Sequence, residues 1–282
     1  MSSVSLHDLT FTEVNIPQPL TRVVSLVPST TETIFALACG DKLLGRTRYC
    51  VSPEEAREIE NIGGTKDPKL DRIIEINPQL VLANKEENRR EDINALREAG
   101  LNVFVDQITT VEESLSFVHR LGQMFETDAD SIVRDGTRAL VSARERICEL
   151  EDQNQLRLNP RKNVRPRTVA FIWKDPWMAV GHDTYAGDLI KTLGGDNLFA
   201  AGPERYIEVT PEQVANLQPE VMLFPSEPYH FTNNDLDYWR ENFPELPAVK
   251  ARNLKLCDGQ DLVWFGARTA SALDNLKGMI LA

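Results

Sequence analysis

Histidine and cysteine are scarce in this chain, with four of each in 282 residues. A receptor for a bare metal ion needs several histidine and carboxylate ligands converging on one point. His7, His119, His182 and His230 are scattered. His182 and Asp183 with Asp188 make at most a partial set, and the first half offers no histidine to complete it, so no metal site is expected. The four cysteines (Cys39, Cys50, Cys148, Cys257) have no CxxC or CxxxxC spacing. Cys39 and Cys148 fall on apolar helical faces, which predicts buried, reduced thiols. No run approaches the roughly 20 apolar residues needed to cross a bilayer. The start, MSSVSLHDLTFTEVNIPQPL, has no basic cluster, apolar core or small-residue cleavage site, so no secretory signal is expected there. That leaves a cytoplasmic chain, or one whose leader has been removed. Positive charge is in deficit, with 31 Lys+Arg against 43 Asp+Glu and a net charge of −12. Such a surface repels phosphate backbones and excludes non-specific nucleic-acid binding as a main activity. Neither GxxxxGK[ST] nor GxSxG occurs, and Gly194-Gly-Asp is not a dinucleotide fingerprint, so neither an enzyme nor a bound cofactor is expected.

What remains is ordinary globular material, 41% hydrophobic and 26% charged, long enough for two medium lobes. Arg22–Val27 reads as a buried strand ended by Pro28. Ser29-Thr-Thr-Glu32 looks like a capping box opening a helix that stops at Gly40. Leu80–Ala83 and Asn102–Asp106 are further strands around a helix from Arg90 to Ala99, so βα units on a parallel sheet are expected. Val133, Leu140 and Ile147, with Ala143 and Leu150, give one amphipathic helix from about Asp128 to Asp152, on the order of 37 Å long. A basic, proline-marked segment follows, and the βα pattern restarts at Thr168-Val-Ala-Phe-Ile172.

The restart is a repeat. Asp71–Glu86 aligns without gaps on Glu212–Glu227, with Pro78/Pro219, Leu82/Leu223 and Glu86/Glu227 identical. Gly40-Asp41-Lys-Leu43 echoes Gly195-Asp196-Asn-Leu198. The fold class expected is α/β, with two similar Rossmann-like lobes on central sheets bridged by one long α-helix. The expected organisation is an N-terminal arm at 1–20, a lobe at 21–125, the bridging helix at 126–155, a surface connection at 156–167 and a second lobe at 168–282. A cleft between lobes is the default ligand site.

The ordered set RVVSLVPSTTETIFALACGDKLLGRT, IGGTKDPKLDRIIEINPQLVLA, RTVAFIWKDPWMAVGHDTYAGDLIKTLGGDNLFA and VTPEQVANLQPEVMLFPSEP resembles the class III (helical-backbone) substrate-binding proteins of ABC importers. The likeness runs from about Arg22 to the end and is greatest to the cobalamin-binding branch. It implies capture of a small-molecule ligand, a corrinoid or else a ferric siderophore or haem, by a monomer that delivers it to an importer permease in the cell envelope. It also implies that Asp71 and Glu212, equivalent in the repeat, dock one on each lobe against permease arginines. The plain alternative is that each carboxylate complements its helix dipole. Tyr49 matches a family tyrosine and Tyr206 stands where cobalamin binders carry a tryptophan. Thr65 and Asn84 stand where those binders often have tryptophans.

The aromatics point the same way without the family. All four tryptophans (Trp173, Trp177, Trp239, Trp264) and four of the five tyrosines lie in the second half. Many follow strand ends, where ligands bind in open α/β sheets. Flat rings suit a planar or conjugated ligand. The candidate wall joins Tyr49, Asn84 and Tyr206, which the resemblance implies, to Trp173, Trp177, Tyr185, Tyr229, Trp264 and Phe265 of the second half, with Glu227. Lys85, Arg205 and Arg268 are available for ligand carboxylates. A second class of reading is a cytoplasmic corrinoid- or tetrapyrrole-handling enzyme or carrier, in which Glu86 and Glu227 would form an acid–base pair.

Overall fold

The computed structural model describes residues 3–156 and 165–281. The N-terminal residues form a hairpin of β1 (Ser3–His7) and β2 (Glu13–Pro17), paired antiparallel with Val4 opposite Ile16. There follow β3 (Val23–Ser25), α1 (Pro28–Ala36), β4 (Leu43–Arg46), α2 (Leu70–Ile76), β5 (Leu80–Asn84), α3 (Arg90–Glu98), β6 (Val103–Asp106), α4 (Val111–Phe125) and α5 (Asp130–Leu156). The second half contributes β7 (Arg167–Trp173), β8 (Met178–Val180), α6 (Tyr185–Thr192), β9 (Asp196–Asn197), β10 (Tyr206–Glu208), α7 (Pro211–Asn216), β11 (Val221–Pro225), α8 (Asn233–Asn242), α9 (Pro247–Lys250), β12 (Leu254–Cys257), α10 (Gly259–Val263) and α11 (Thr269–Ile280).

Two compact units result. One holds the described residues of Met1–Ile108, Ser114–Val133 and Phe265–Ala267; the other holds those of Thr109–Glu113, Arg134–Trp264 and Arg268–Ala282. The first is built on a parallel sheet of order β4-β3-β5-β6. The second has order β10-β8-β7-β11-β12, with β9 also on β7; β8 pairs antiparallel with both β7 and β10, and the other pairs are parallel. In the first core, Val24, Leu26, Val81 and Val103 pack with Ile73, Ile93 and Leu96. In the second, Phe171, Met222 and Phe224 pack with Leu236 and Trp239. These β-branched and aromatic runs are buried on both faces, as parallel strands require.

The repeat is present in backbone detail. Asn77 and Gln218 both take a left-handed turn, at φ 48° and 50°, just before Pro78 and Pro219. Gln79 N–H then donates to Arg22 O at 2.8 Å, and Glu220 N–H to Arg167 O at 2.8 Å, fixing β5 on β3 and β11 on β7 in the same register.

Several local expectations need correction. Helix α1 begins at Pro28, with Val27 as its cap residue and no side-chain cap. Proline is pre-organised for the first helical turn, so the start moves upstream of Ser29 and no capping box forms there. Glu32 instead accepts from Ser52 Oγ at 3.0 Å. The helix ends at Ala36 because Ala38 turns left-handed (φ 56°), with Ala38 N–H on Phe35 O and Cys39 N–H on Ile34 O. Helix α6 closes identically through Gly194, φ 88°, and Gly195. The structural partners of Gly194 and Gly195 are therefore Ala38 and Cys39, one residue before the sequence echo.

The predicted long helix is α5, about 40 Å at 1.5 Å per residue over its 27 residues. Its buried seam is Gly136, Leu140 and Ile147, with Val133, Ala143 and Leu150 half-buried. Cys148 lies one residue off that seam and is exposed, whereas Cys39, Cys50 and Cys257 are buried; all four are free thiols. Residues 157–164 of the basic connection lie outside the described residues.

The two equivalent sheet edges differ. In β6, the outward groups of Val105 are used: its carbonyl accepts from Leu9 N–H at 3.0 Å and its N–H donates to Asp8 Oδ2 at 3.3 Å. The hairpin thus covers this edge. The equivalent residue in β12, Leu256, is exposed, and its outward backbone groups have no hydrogen-bond partner among the described residues.

Candidate functional site

In each unit the parallel strands end in loops that carry the candidate residues. In the first unit, Asn84 ends β5 and is 2% exposed. Its amide donates to Asp106 Oδ1 at 2.5 Å, and its side-chain oxygen accepts from Glu86 N–H at 2.8 Å. Asn88 locks the same loop from below, accepting from Asn84 N–H at 2.8 Å and donating to Thr65 O at 3.0 Å. Asn84 is thus committed to shaping its loop, and the next residue, Lys85, carries the outward function. Lys85 is exposed and donates to Gln107 Oε1 at 3.2 Å. Tyr49 is 52% exposed, with the Arg48 guanidinium 5.5 Å from its ring centre. Arg48 in turn pairs with Asp67, and Lys66 donates to Glu86 O. A cationic, aromatic rim results.

Beneath that rim lies Asp106, fully enclosed. Its Oδ2 has no hydrogen-bond partner among the described residues. Burial pushes its carboxyl up to about 7; the Glu86 and Glu87 carboxylates add to the shift, while Asn84 and Arg120 oppose it.

In the second unit the aromatics divide into two layers. Trp173, at the end of β7, is 43% exposed and stands edge-on to half-buried Tyr229 at 5.7 Å. Trp177 lies below, stacked on Phe231 at 5.8 Å and touching Phe171 at 4.9 Å and Trp239 at 5.5 Å. It belongs to the core, not to an exposed wall. Tyr185 and Trp264 are also buried; the Tyr185 hydroxyl meets Thr269 Oγ1 at 3.1 Å. Phe265 is buried too, and it packs with the first unit, edge-on to Phe117 at 5.5 Å. A loop position after a strand does not reveal which side of the ring finds water, and these four rings find protein. Tyr206 opens β10 and is half-buried.

The two arginines are engaged by their own unit. Arg205 Nε donates to Asp183 O at 2.8 Å. Arg268 donates to Asp261 Oδ1 at 3.1 Å and Gln260 Oε1 at 3.0 Å, and lies 5.6 Å from the Trp264 ring. Glu227 is half-buried. Burial raises its carboxyl, against hydrogen bonds from the Trp264 and Gln260 side chains. Asp71 and Glu212 are exposed in the first turns of α2 and α7. Among the described residues neither makes an ion pair or side-chain hydrogen bond. Helix α7 has a full capping box from Thr210 and Gln213, so its start does not depend on Glu212. No group of three or more His, Cys, Asp or Glu among the described residues is placed to hold a metal ion.

The periplasmic binding protein family matches residues 23–260, most of the chain. This chain belongs to that family. It is a substrate-binding protein of the kind used in ABC import, as the sequence leads one to expect. Family members bind small ligands for ABC importers. Similar curated relatives include the vitamin B12-binding protein of Vibrio parahaemolyticus, 29% identical over 83% of this chain and 79% of the relative. The vitamin B12-binding protein of Vibrio cholerae is 27% identical over 93% and 88%. Among solved structures, the periplasmic vitamin B12-binding protein of V. cholerae superposes with a TM-score of 0.77 at 22% identity, covering 93% of this chain and 97% of that one. A periplasmic haem-binding protein of Roseiflexus sp. superposes at 0.74 and 22%, covering 93% and 98%. At that identity both likenesses speak for the fold. No described helix is long and apolar enough to cross a membrane.

Arg48, Lys66 and Gln107 sit among the family's strand-end loops here, yet sequence reasoning passed over them. Only Arg48 carried a signal, its place beside Tyr49 in an aromatic–cation pair.

Proposed function

We propose that this chain captures a corrinoid, a cobalamin-like ligand, in the cell envelope and presents it to an ABC importer permease. The observation that carries this reading is the agreement of the relatives: each one named above by sequence is a vitamin B12-binding protein, and they match over most of the chain. The site chemistry supports it. The first unit carries exposed Tyr49, and the second exposed Trp173 with half-buried Tyr206 and Tyr229, flat rings of the kind that suit a conjugated macrocycle. Lys85 and the Arg48 edge supply positive charge and hydrogen-bond donors for its polar substituents. Asp71 and Glu212, one on each unit and without an ion pair or side-chain hydrogen bond among the described residues, are the residues to contact the permease. The ligand leaves chemically unchanged.

The test is tryptophan fluorescence quenching by cyanocobalamin, with haemin and a ferric catecholate siderophore as comparison ligands. Trp173 is the one tryptophan exposed to solvent, so cyanocobalamin should give saturable quenching that Trp173→Phe largely abolishes. Tyr49→Ala should weaken affinity by about tenfold, the loss of one aromatic contact. Saturable quenching by haemin or the siderophore alone would replace the corrinoid by that ligand.

A further inference from the structure

The N-terminal hairpin and α3 enclose a cavity of about 460 Å³ that none of the ligand reading uses, apart from Lys85 at its margin. Its construction follows from helix spacing. Arg90, Ile93, Asn94 and Arg97 recur at three- and four-residue intervals, so they line one stripe of α3. Opposite stand the hydroxyls of Thr10 and Thr12 at the hairpin turn, with Val105 of β6 and buried Ile93 as the apolar floor.

The turn is held rigidly. Asp8 Oδ1 accepts from Thr10 N–H at 2.8 Å and Thr12 N–H at 3.0 Å, and Asp8 Oδ2 takes Arg97 at 2.6 Å. Phe11, at φ 58° and 91% exposed, is turned outward by the same loop. The Asp8 carboxylate is thereby used up, both by backbone N–H groups and by Arg97. Among the described residues no Asp or Glu lines the cavity, whereas Lys85, Arg90 and Arg97 do. That is the reverse of the whole chain, where acids outnumber bases by 43 to 31. Among the described residues, Arg90 makes no ion pair and Asn94 no side-chain hydrogen bond, so a guanidinium and an amide face the space together.

We propose that this cavity is a second binding site, for a small organic anion with two or more acidic oxygens on a short apolar body. Arg90 takes one acidic group in a two-point hydrogen bond. Lys85 balances the remaining charge, the Asn94 amide donates a neutral hydrogen bond, and Ile93 and Val105 contact the apolar part; the Thr10 hydroxyl is already committed to Asp8 Oδ1 at 2.7 Å and only shapes the wall. The site shares only Lys85 with the corrinoid reading and uses none of the second unit.

The test is isothermal titration with citrate and, separately, glycerol 3-phosphate, on the full chain in low-salt buffer. At least one should bind saturably. Arg90→Ala and Asn94→Ala should each weaken it about tenfold or more, and raised salt should weaken it further. Citrate alone would name a polycarboxylate, glycerol 3-phosphate alone a phosphate ester. Arg90 and Asn94 are exposed, so both variants should keep the parent unfolding midpoint and cyanocobalamin response. Absence of saturable binding by either probe, or binding that Arg90→Ala leaves unchanged, overturns the proposal. Loss of cyanocobalamin binding alone would count against the corrinoid reading and leave this site standing.

Discussion

Asp106 is the residue whose surroundings most change its chemistry. It is enclosed beside Asn84, with Arg120 in favour of its charge and Glu86 and Glu87 against it, and its carboxyl is pushed up to about 7 chiefly by burial. Below about pH 4 the group is protonated in both folded and unfolded chains and contributes no pH dependence. Between pH 4 and 7 the unfolded chain releases this proton while the folded chain keeps it, so the group's contribution to stability is lost as pH rises through 7. Comparing urea midpoints of the parent and Asp106→Asn at pH 4.5 and 7.5 isolates the effect. The parent should lose ground to the variant as pH rises, and parallel behaviour would show an ordinary carboxylate. None of this was legible in the sequence, where Asp106 reads as the polar end of a strand. The same limit explains the tryptophans: Trp173 and Trp177 sit four residues apart around the β7–β8 turn, but only the fold decides that one faces water while the other stacks on Phe231.

At the scale of elements, sequence signals succeeded where periodicity or a repeat fixed them. Strands β5 and β11, the helices before them, and the seam of α5 all follow from spacing. The failures sit at element ends. A proline displaced the start of α1, an alanine in a left-handed turn displaced its end, and the hairpin's place on the β6 edge was not legible because its docking contacts, Leu9 with Val105 and Arg97 with Asp8, are remote in sequence. Gly259 shows how tightly one such end is built. A Cβ there would lie 2.4 Å from Glu227 N. Gly259→Ala should therefore displace the Glu227–Tyr229 loop, cost about 1–3 kcal/mol in urea unfolding and weaken ligand binding. Gly278→Ala, in α11 with open space around it, should instead stabilise by about 0.5–1 kcal/mol. Equal effects of the two substitutions would contradict the close approach.

For the whole molecule, the family was readable from ordered segments spread across the chain, and the ligand was not, because strand-end loops carry the specificity. Docking is a separate property from capture. Asp71→Ala combined with Glu212→Ala should leave cyanocobalamin affinity within about twofold, since both side chains are exposed and make no ion pair among the described residues, yet abolish uptake by cells that depend on this protein. Normal uptake by the double variant would remove these residues from the permease contact.

The uneven edges of the two sheets have a consequence for handling the molecule. The hairpin closes β6, whereas β12 presents Leu256, whose outward backbone groups are unpaired among the described residues, as a template for another extended chain. Crowded or partly unfolded molecules would therefore begin to aggregate from β12 in preference to β6. A charged side chain at Leu256 is the place to guard a concentrated preparation against that growth.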